Sequence, residues 1–323
     1  MPPSTLNVIA IYDAAESNFF APPLKRPLNT ADTQNRVSIS QWRPPSRIEI
    51  ALIGVRIAMK RVSPFCIAVF GITLALLSSF TASADENIEG WSAYSNGDYH
   101  HAYKVWKGLA EAGNAEAQFA LGTLYTEGLA VEQDYHVAAE WFDKAAQKNV
   151  ADAQFNLGIL YSQGLGVDKN LEKAAFWYKA AAEQGLAEAQ NNMGVVYFSG
   201  QGVARDLSAA LNWFERAAQS GNPQAQTTIG AMHLNGMGVA QDYYAAFEWF
   251  DKAAQQGFAE AQYNLGVMYA EGIAVNKNEK LAIKWLRKAS QQGHSTAEEN
   301  LTKLLETSTA KHTPNHTYRN RNS

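Results

Sequence analysis

Residues 151–186 read ADAQFNLGILYSQGLGVDKNLEKAAFWYKAAAEQGL, and this 36-residue pattern is written five times without a gap from Ala115 to His294. Glycine and tryptophan return at that spacing in every copy. The recurring residues are Gly122, Gly158, Gly194, Gly230 and Gly266, and Trp141, Trp177, Trp213, Trp249 and Trp285. A fixed period of this length is typical of a stacked repeat array.

Each repeat predicts two helices joined by a glycine turn. Apolar or small residues at repeat positions 3, 7, 10 and 11 form one helical face, and those at positions 24, 27, 28 and 31 form another. The turn, GLGV at residues 164–167, can end a helix because glycine adopts left-handed backbone angles readily. In the first and fifth copies the second glycine is Ala130 or Ala274, which predicts that this position tolerates a Cβ atom.

The second helix carries its own start and stop signals. An Asp or Asn precedes it in every copy, where the side-chain oxygen can cap free backbone amides, and a Gly or Asn follows it. We expect the glycine at position 8 to let the two helices approach closely, with each tryptophan filling the space beside it. Because these residues recur in every copy, packing is the favoured interpretation of them.

The motif A-x-A-Q-x-x-L-G-x-x-Y-x-x-G-x-G-V-x-x-D, followed by A-x-x-W-[FY] and A-A-x-x-G, closely resembles the Sel-1-like repeat, a relative of the tetratricopeptide repeat. Ala151–Asn170 shows it almost complete, with Asn170 in place of the final Asp. The resemblance covers residues 115–150, 151–186, 187–222, 223–258 and 259–294 as whole repeats. It implies an all-α fold, a right-handed α-solenoid of about five 36-residue helix-turn-helix repeats plus half repeats at both ends. It also implies a protein that binds other proteins and is not itself catalytic.

The chain before the array divides into two parts. Residues 1–58 hold seven of the ten prolines and show no sustained period, so this part is expected to be disordered if it is made at all. Residues 59–84 carry the three parts of a secretory signal peptide in order: a basic start, an apolar run and an A-x-A cleavage pattern ending at Ala84. Our hypothesis is that Met59 is the true initiator and that residues 1–58 are an upstream extension.

Localisation follows from the predicted signal peptide. Cleavage after Ala84 predicts a periplasmic or secreted protein without stable membrane insertion. The alternative is an inner-membrane anchor through residues 65–80 with the repeats outside, although this run is shorter than the roughly 20 residues that span a bilayer. The single cysteine, Cys66, would leave with the signal, so the mature chain would hold no disulfide.

Incomplete repeats flank the array. Residues 85–114 match the second half of a repeat and are predicted to form N-terminal capping helices. Residues 295–306 keep Ala297 and Leu301 in register but place charged side chains at other core positions, which predicts a C-terminal capping helix. Residues 307–323 are polar and are expected to form a disordered tail.

The predicted mature chain is acidic. Residues 85–323 hold 19 Lys and Arg against 27 Asp and Glu, a net charge of −8. Phosphate binding needs a basic stripe, and this sequence has none, so nucleic acid is not an expected partner.

The sequence contains few residues in patterns typical of catalysis or metal binding. We predict no catalytic residue, no cofactor and no metal site. It contains no G-x-S-x-G, no H-E-x-x-H and no phosphate-binding glycine loop. His100 and His101 point to different faces of a predicted helix and are poor metal ligands unless others converge. His233 takes the place of a recurring tyrosine, and His312 and His316 form a weak metal site at best.

The positions that inform on a binding partner are those whose residues differ between repeats, in contrast to the packing residues that recur in every copy. By similarity to tetratricopeptide repeats, positions 2, 5, 9, 12 and 13 of the first helix line the concave surface. Exposed aromatic residues among polar ones suit a protein-binding groove, although some of them can instead pack between neighbouring repeats. The predicted partner-binding residues are Phe119, Phe155, Asn191, Thr227 and Tyr263 at position 5, Phe198 and Leu234 at position 12, and Glu127 and Glu271 at position 13.

The charges at these positions indicate which kind of ligand to expect. Position 2 is acidic in four of the five copies, which we interpret as a solvated face and not an acid–base pair. No Lys or Arg occurs at positions 2, 5, 6, 9, 12 or 13, so a two-sided basic clamp for a C-terminal carboxylate is absent. The acidic side chains favour a polar or basic ligand segment.

The function we expect is a non-catalytic scaffold or adaptor in the bacterial cell envelope that binds a segment of a partner protein on the concave face. The resemblance points to envelope assembly, polysaccharide export or regulation of a membrane sensor. A secreted cell-wall-active or β-lactamase-like enzyme is one alternative, but the sequence has no nucleophile–base pair to support it. A structural spacer is another, and it would not need a variable aromatic groove. The identity of the partner and the oligomeric state stay open.

Overall fold

The computed structural model describes residues 86–312, so the upstream extension and the signal peptide predicted above lie outside the described residues. Within that range the chain forms helices and no strands, which confirms the all-α fold. The chain divides into two compact units, and the boundary between Lys169 and Asn170 lies inside the second repeat. We call their described parts the N-terminal unit, residues 86–169, and the C-terminal unit, residues 170–312. No helix in the described range is long and apolar enough to cross a membrane.

The helices follow the repeat pattern in both units. The N-terminal unit contains α1 (86–95), α2 (Tyr99–Glu111), α3 (Ala115–Glu127), α4 (Tyr135–Gln147) and α5 (Ala151–Gln163). The C-terminal unit contains α6 (Leu171–Glu183), α7 (Ala187–Ser199), α8 (Leu207–Gln219), α9 (Pro223–Asn235), α10 (Tyr243–Gln255), α11 (Ala259–Glu271), α12 (Glu279–Gln291) and α13 (Ser295–His312). We call α3, α5, α7, α9 and α11 the A helices, and α4, α6, α8, α10 and α12 the B helices. The final helix continues past Glu306 to His312, so the start of the predicted tail is helical.

The predicted helix signals are confirmed at both ends. Asp134 accepts hydrogen bonds from the backbone N–H groups of His136 and Val137 at 2.9 and 3.1 Å, and so satisfies amides that have no partner within the helix. The A helices end at glycines in the left-handed conformation, with φ of +73° at Gly164. Local sequence therefore sets where each helix begins and ends.

The close approach within a repeat is made by glycine and phenylalanine. A Cβ atom added at Gly122 would lie 2.5 Å from the ring of Phe142, and one at Gly194 would lie 2.5 Å from the ring of Phe214. Both rings are buried. The ring that fills the space beside the glycine is thus the one at position 28, and our assignment of that place to the tryptophan at position 27 is wrong.

Four of the five tryptophans instead lie at the edge of the core, and only Trp285 is buried. Trp141 and Trp213 are partly exposed, and each is covered by a cation three residues along its B helix. The Lys144 ammonium lies 3.7 Å from the ring centroid of Trp141, and the Arg216 guanidinium lies 4.6 Å from that of Trp213. A cation–π contact of this kind covers the face of a large ring that is only partly buried in the core.

The second glycine of the turn packs against the preceding B helix. A Cβ atom at Gly202 would lie 2.2 Å from the carbonyl oxygen of Leu171, the first residue of α6. The expectation from Ala130 and Ala274 that this position tolerates a Cβ atom therefore fails at Gly202. Alanine is accommodated in the first and fifth repeats, where both residues keep a positive φ of 63° and 60°.

A buried glutamine ties each A helix to the helix before it. The amide nitrogen of Gln226 donates to the Ala218 carbonyl at 3.2 Å, and the same bond recurs at Gln118, Gln154, Gln190 and Gln262. The oxygen of Gln226 accepts from Gln256 at 2.7 Å. In the third repeat the residue equivalent to Gln256 is Ser220, and the buried oxygen of Gln190 has no partner in the described structure.

We predict that Gly202→Ala lowers the free energy of unfolding by about 1–3 kcal/mol more than Gly221→Ala. Both glycines have a positive φ, of +79° and +87°, so alanine is strained at either place. Only at Gly202 does the new methyl group meet backbone, since nothing lies within 4 Å of a Cβ atom at Gly221. Urea unfolding of the two variants measures the difference. Equal losses would mean that the turn can move away from α6 without cost.

We predict that Ser220→Gln raises the free energy of unfolding by about 1 kcal/mol, because its amide can donate to the unpartnered oxygen of Gln190. Ser220→Glu is the matched control, with a side chain of similar size and no donor at neutral pH. It should destabilise the chain, since a carboxylate would face the Gln190 oxygen. A gain in both variants would trace the effect to side-chain size.

Candidate functional site

The residues predicted to bind a partner divide into two groups by exposure. Four are buried, with exposed fractions between 1% and 9%, and five are half-buried. The buried ones are Tyr263, Asn191, Thr227 and Leu234. The half-buried ones are Phe119, Phe155, Phe198, Glu127 and Glu271. The expectation that these positions form an exposed wall is therefore wrong for the first group. Partner contact by the second group stays a prediction.

Tyr263 is buried because the C-terminal helix covers it. Its ring stacks on that of His294, with centroids 4.6 Å apart, and its hydroxyl lies 3.4 Å from the amide nitrogen of Asn300, which donates to it. His294 contacts the Glu260 carboxylate through Nε2 at 2.9 Å and accepts from the Ala297 backbone N–H through Nδ1 at 3.2 Å. Burial raises the pKa of Tyr263 to about 12. This tyrosine joins α13 to the last repeat and is closed to a partner.

The other buried residues also have roles inside the fold. The Thr227 hydroxyl donates to the Pro223 carbonyl at 2.8 Å along its own helix. Leu234 belongs to an apolar cluster with Phe250 of the same repeat. Asn191 is 3% exposed, and its side-chain oxygen is buried with no partner among the described residues. In the C-terminal unit, then, position 5 packs inside the array, as the alternative interpretation had it.

The N-terminal unit presents its position-5 rings differently. Phe119 and Phe155 are both half-buried, and the Phe119 ring packs 5.9 Å from that of Phe142 between centroids. Glu127 at the end of α3 accepts a hydrogen bond from the Tyr94 hydroxyl at 2.7 Å. Burial raises the pKa of Glu127, although the bond from Tyr94 opposes that rise. Aromatic and acidic side chains thus remain partly accessible on this unit.

Two carboxylates occupy the same repeat position in the N-terminal unit. Glu116 on α3 and Asp152 on α5 are both exposed at position 2. Burial of part of its surface raises the pKa of Glu116, and repulsion from Asp152 raises it further. Each acid lies one helical turn before an aromatic ring, Phe119 or Phe155. Our sequence interpretation treated position 2 as a solvated face, and it had no means of detecting this repulsion.

The A helices as a group carry one sign of charge. They contain six acidic residues and no Lys or Arg. In the part of the chain that the structure describes, no Lys or Arg side chain forms an ion pair with any of the six. The acids are Glu116, Glu127, Asp152, Glu188, Glu260 and Glu271. Cations from neighbouring turns nevertheless come close to these helices. The Arg205 guanidinium lies 5.8 Å from the ring centroid of Phe198 on α7, and the Lys148 ammonium donates to the Gly113 carbonyl just before α3.

The histidines whose side chains the structure describes form no metal site. Nε2 of His101 lies 2.8 Å from a Glu89 carboxylate oxygen at the surface, and His233 is partly buried at the position of the recurring tyrosine. Among residues 86–308, whose side chains the structure describes, no group of three His, Cys, Asp or Glu side chains is arranged to hold a metal ion. The pair at His312 and His316 lies outside those residues.

Comparison with protein families identifies the repeat. A family model described as the Sel1 repeat matches residues 115–150, 151–186, 187–222, 223–258 and 259–294, the same five segments that the sequence pattern delimits. The comparison with curated proteins finds no significant match.

Solved structures are similar over most of the chain. The structure of c5321, a protective antigen present in uropathogenic Escherichia coli strains displaying an SLR fold, is similar with 32% sequence identity, with 74% of this chain and 52% of that one covered and a TM-score of 0.67. The structure of a Sel1 repeat protein from Oxalobacter formigenes is 34% identical, with coverages of 67% and 86% and a TM-score of 0.64. The chain therefore spans about half the length of the E. coli protein. These matches confirm the predicted α-solenoid class.

We predict that Glu116→Gln raises the free energy of unfolding at pH 7. Because the folded chain raises the pKa of Glu116 above its usual 4.5, the folded state binds this proton more tightly than the unfolded state, and ionisation above that pKa destabilises the fold. The gain should shrink as the pH falls through the folded-state pKa towards 4.5, where the wild-type carboxyl becomes neutral. Urea unfolding across this pH range measures it.

Asp152→Asn provides the matched comparison, since either substitution removes the same repulsion. The double variant should gain less than the two single gains added together. Additive gains, or a loss on Glu116→Gln at pH 7, would contradict the repulsion.

Proposed function

The chain belongs to the Sel1-repeat family, whose members are generally protein-interaction scaffolds and typically non-catalytic, and we propose that it serves as an adaptor in the bacterial cell envelope. Its partner is a segment of another protein, held on the A-helix surface. That surface corresponds to the concave face of tetratricopeptide-type arrays. The observation that carries this proposal is the half-buried pair Phe119 and Phe155 among acidic side chains on the N-terminal unit.

Energetics favour these rings as contact residues. A half-buried ring has already lost part of its freedom in the folded chain, so a partner that covers the rest gains apolar contact at little further entropic cost. Glu127 lies on the N-terminal unit with these rings, whereas Phe198 and Glu271 lie on A helices of the C-terminal unit. A partner cannot reach four buried residues, which therefore do not belong to the proposed binding surface: Asn191, Thr227, Leu234 and Tyr263.

The place in the cell is part of the proposal. Residues 59–84 have the basic start, apolar run and cleavage pattern of a signal peptide, and a chain exported by it would begin at Asp85. A periplasmic or secreted protein follows, and an inner-membrane anchor through residues 65–80 is the alternative. Envelope assembly, polysaccharide export and sensor regulation are the pathways that such an adaptor would serve.

Photo-crosslinking in living cells tests this function. We expect p-benzoylphenylalanine at position 155 to crosslink a partner protein, and the same group at Phe176 to give no such product. Phe176 is the control because it is 63% exposed on the B helix α6. Combined Phe119→Ala and Phe155→Ala should lower recovery of that partner at least about tenfold, as loss of central aromatic contacts does. N-terminal sequencing of the recovered chain should start at Asp85.

A matched pair of exposed rings provides the second control. Phe176→Ala with Tyr244→Ala removes two rings that are 63% and 71% exposed on B helices, and recovery should then be unchanged. Far-UV circular dichroism checks that both double variants keep their helices. Equal crosslinking from both faces would overturn the A-helix surface as the docking site. A sequence starting at Met1 in a cytoplasmic chain would overturn the localisation.

A further inference from the structure

The last B helix, α12, differs from the other four in charge. It carries four Lys and Arg residues against one Glu, a net charge of +3, whereas each of the other B helices has a net charge of −1 or 0 with His neutral. At 3.6 residues per turn the four cations fall within an arc of about 100°. They are all exposed, and we call them the α12 stripe: Lys280, Lys284, Arg287 and Lys288. Our sequence interpretation that the chain has no basic stripe is therefore wrong at this helix.

The same positions of other repeats balance or reverse this charge. Position 26 is Lys284 in the fifth repeat but Glu in the first and fourth. Position 29 is Arg287 in the fifth repeat but Asp or Glu in the first, third and fourth, where it stands next to the cation at position 30. In α12 that neighbour is Lys288, so both residues are basic. The fifth repeat has thus exchanged a balanced solvent-facing surface for a cationic one.

The fold does not benefit from this concentration of charge. The ammonium groups of Lys284 and Lys288 lie 5.4 and 4.5 Å from the ring centroid of Trp285, so they are no farther apart than about 10 Å, the Debye length at 0.1 M salt. Like charges four residues apart destabilise a helix, and the pair Lys280 and Lys284 has this spacing too. Lys280 also lies in the first turn, where the helix dipole disfavours a cation.

No anion within the described residues compensates these charges, since none of the four cations of the α12 stripe forms an ion pair there. The ring of Trp285 lies against two of them and restricts where their ammonium groups can go. An external anion would therefore meet cations that are already held close together, and it would remove their mutual repulsion.

The surroundings of the α12 stripe select the class of anion. Trp285 is only 5% exposed, so it offers no ring on which nucleic-acid bases could stack. No large apolar side chain of α12 is exposed, as a helix that inserts into a bilayer surface would require. Leu281 and Ile283 are half-buried on either side of the stripe. A polypeptide with one carboxylate per helical turn matches the cations and can cover these flanks with its apolar side chains.

We infer that the α12 stripe docks an acidic helical segment of a second protein. This inference goes beyond the proposed function and does not rest on the rings of the A helices. It gives the array two binding surfaces of different charge, one on A helices and one on a B helix.

Fluorescence anisotropy with the purified chain tests the inference. The probe is a fluorescein-labelled peptide of repeated Glu-Ala-Ala-Ala units, and the comparison peptide has Gln in place of Glu. The acidic peptide should bind and should bind more weakly as salt is added, whereas the Gln peptide should not bind. Lys284→Glu with Arg287→Asp introduces the residues that the fourth repeat has at these positions, and it should weaken the acidic peptide at least about tenfold. No binding by the wild-type chain would overturn the inference.

Two control variants separate the site from net charge and from folding. Lys173→Glu with Lys179→Glu makes the same change in net charge on α6, and its effect should stay below about twofold. Lys284→Arg with Arg287→Lys keeps the charge of the α12 stripe and should also stay within about twofold. Equal weakening by the α6 pair would trace the binding to net charge, and a tenfold loss in the charge-conserving pair would show that charge is not the cause. Either result would overturn the inference.

Other occupants of the α12 stripe give different results. Displacement of the peptide by inorganic polyphosphate at an equal concentration of negative charge would assign the stripe to polyanions in general. Co-sedimentation with phosphatidylserine vesicles would assign it to a membrane surface. Self-association of the wild-type chain in sedimentation equilibrium, lost in the Lys284→Glu and Arg287→Asp variant, would assign it to a second copy. Each of these would overturn the acidic polypeptide.

The crosslinking experiment keeps this result apart from the proposed function. The product at position 155 should keep its yield in the Lys284→Glu and Arg287→Asp variant, because the two surfaces are distinct. If the wild-type chain binds the acidic peptide but gives no product at position 155, the adaptor function on the A helices fails and the α12 stripe stands. If the product forms but the peptide does not bind, the adaptor function stands and this inference is wrong.

Discussion

The contact between the position-8 glycine and the position-28 side chain is the constraint on which the repeat depends. With only a hydrogen atom on the glycine, the buried rings of Phe142, Phe214 and Phe250 lie directly against the backbone of the A helix. Any larger residue would push the two helices apart, and the alanines at positions 3, 24 and 31 would then lose their close contacts. The fifth repeat keeps this arrangement with Leu286, whose side chain would lie 2.8 Å from a Cβ atom at Gly266.

The residues that pack the helices together are therefore distinct from those that vary between repeats. The glutamine bonds between successive repeats and the capping Asp and Asn residues satisfy the buried backbone, so they carry no information about a ligand. The charged side chains lie at the surface, and the two signs of charge are distributed unevenly between the A and B helices. Cations cover the tryptophan faces of the B helices, as Lys144 does at Trp141, while the A helices hold only acids. Five helices whose Asp, Glu, Lys and Arg residues are all acidic, within a chain of mixed charge, are a feature that packing does not require.

The period and the local signals predicted most of the fold, because helix length, capping and glycine turns are encoded within a few residues of one another. The sequence could not decide which of two adjacent aromatic residues faces inward. Trp141 and Phe142 both fall on the apolar stripe, and only the position of the neighbouring helix distinguishes them. The same limit explains the error at Tyr263. Phe119 shares its repeat position, but only Tyr263 meets His294 and Asn300, which come from the helix that closes the array.

Helix geometry alone offers a competing explanation for the acids at position 2. A carboxylate in the first turn of a helix interacts favourably with the helix dipole by about 0.3–1 kcal/mol, and this is enough to account for Glu188 and Glu260 as well as Glu116. That effect lowers the pKa of a carboxyl group, however, and the pKa of Glu116 is raised. Burial and the charge of Asp152 therefore outweigh the dipole at this one place. The dipole also gives no reason for the lack of Lys and Arg along whole A helices, including positions far from the first turn.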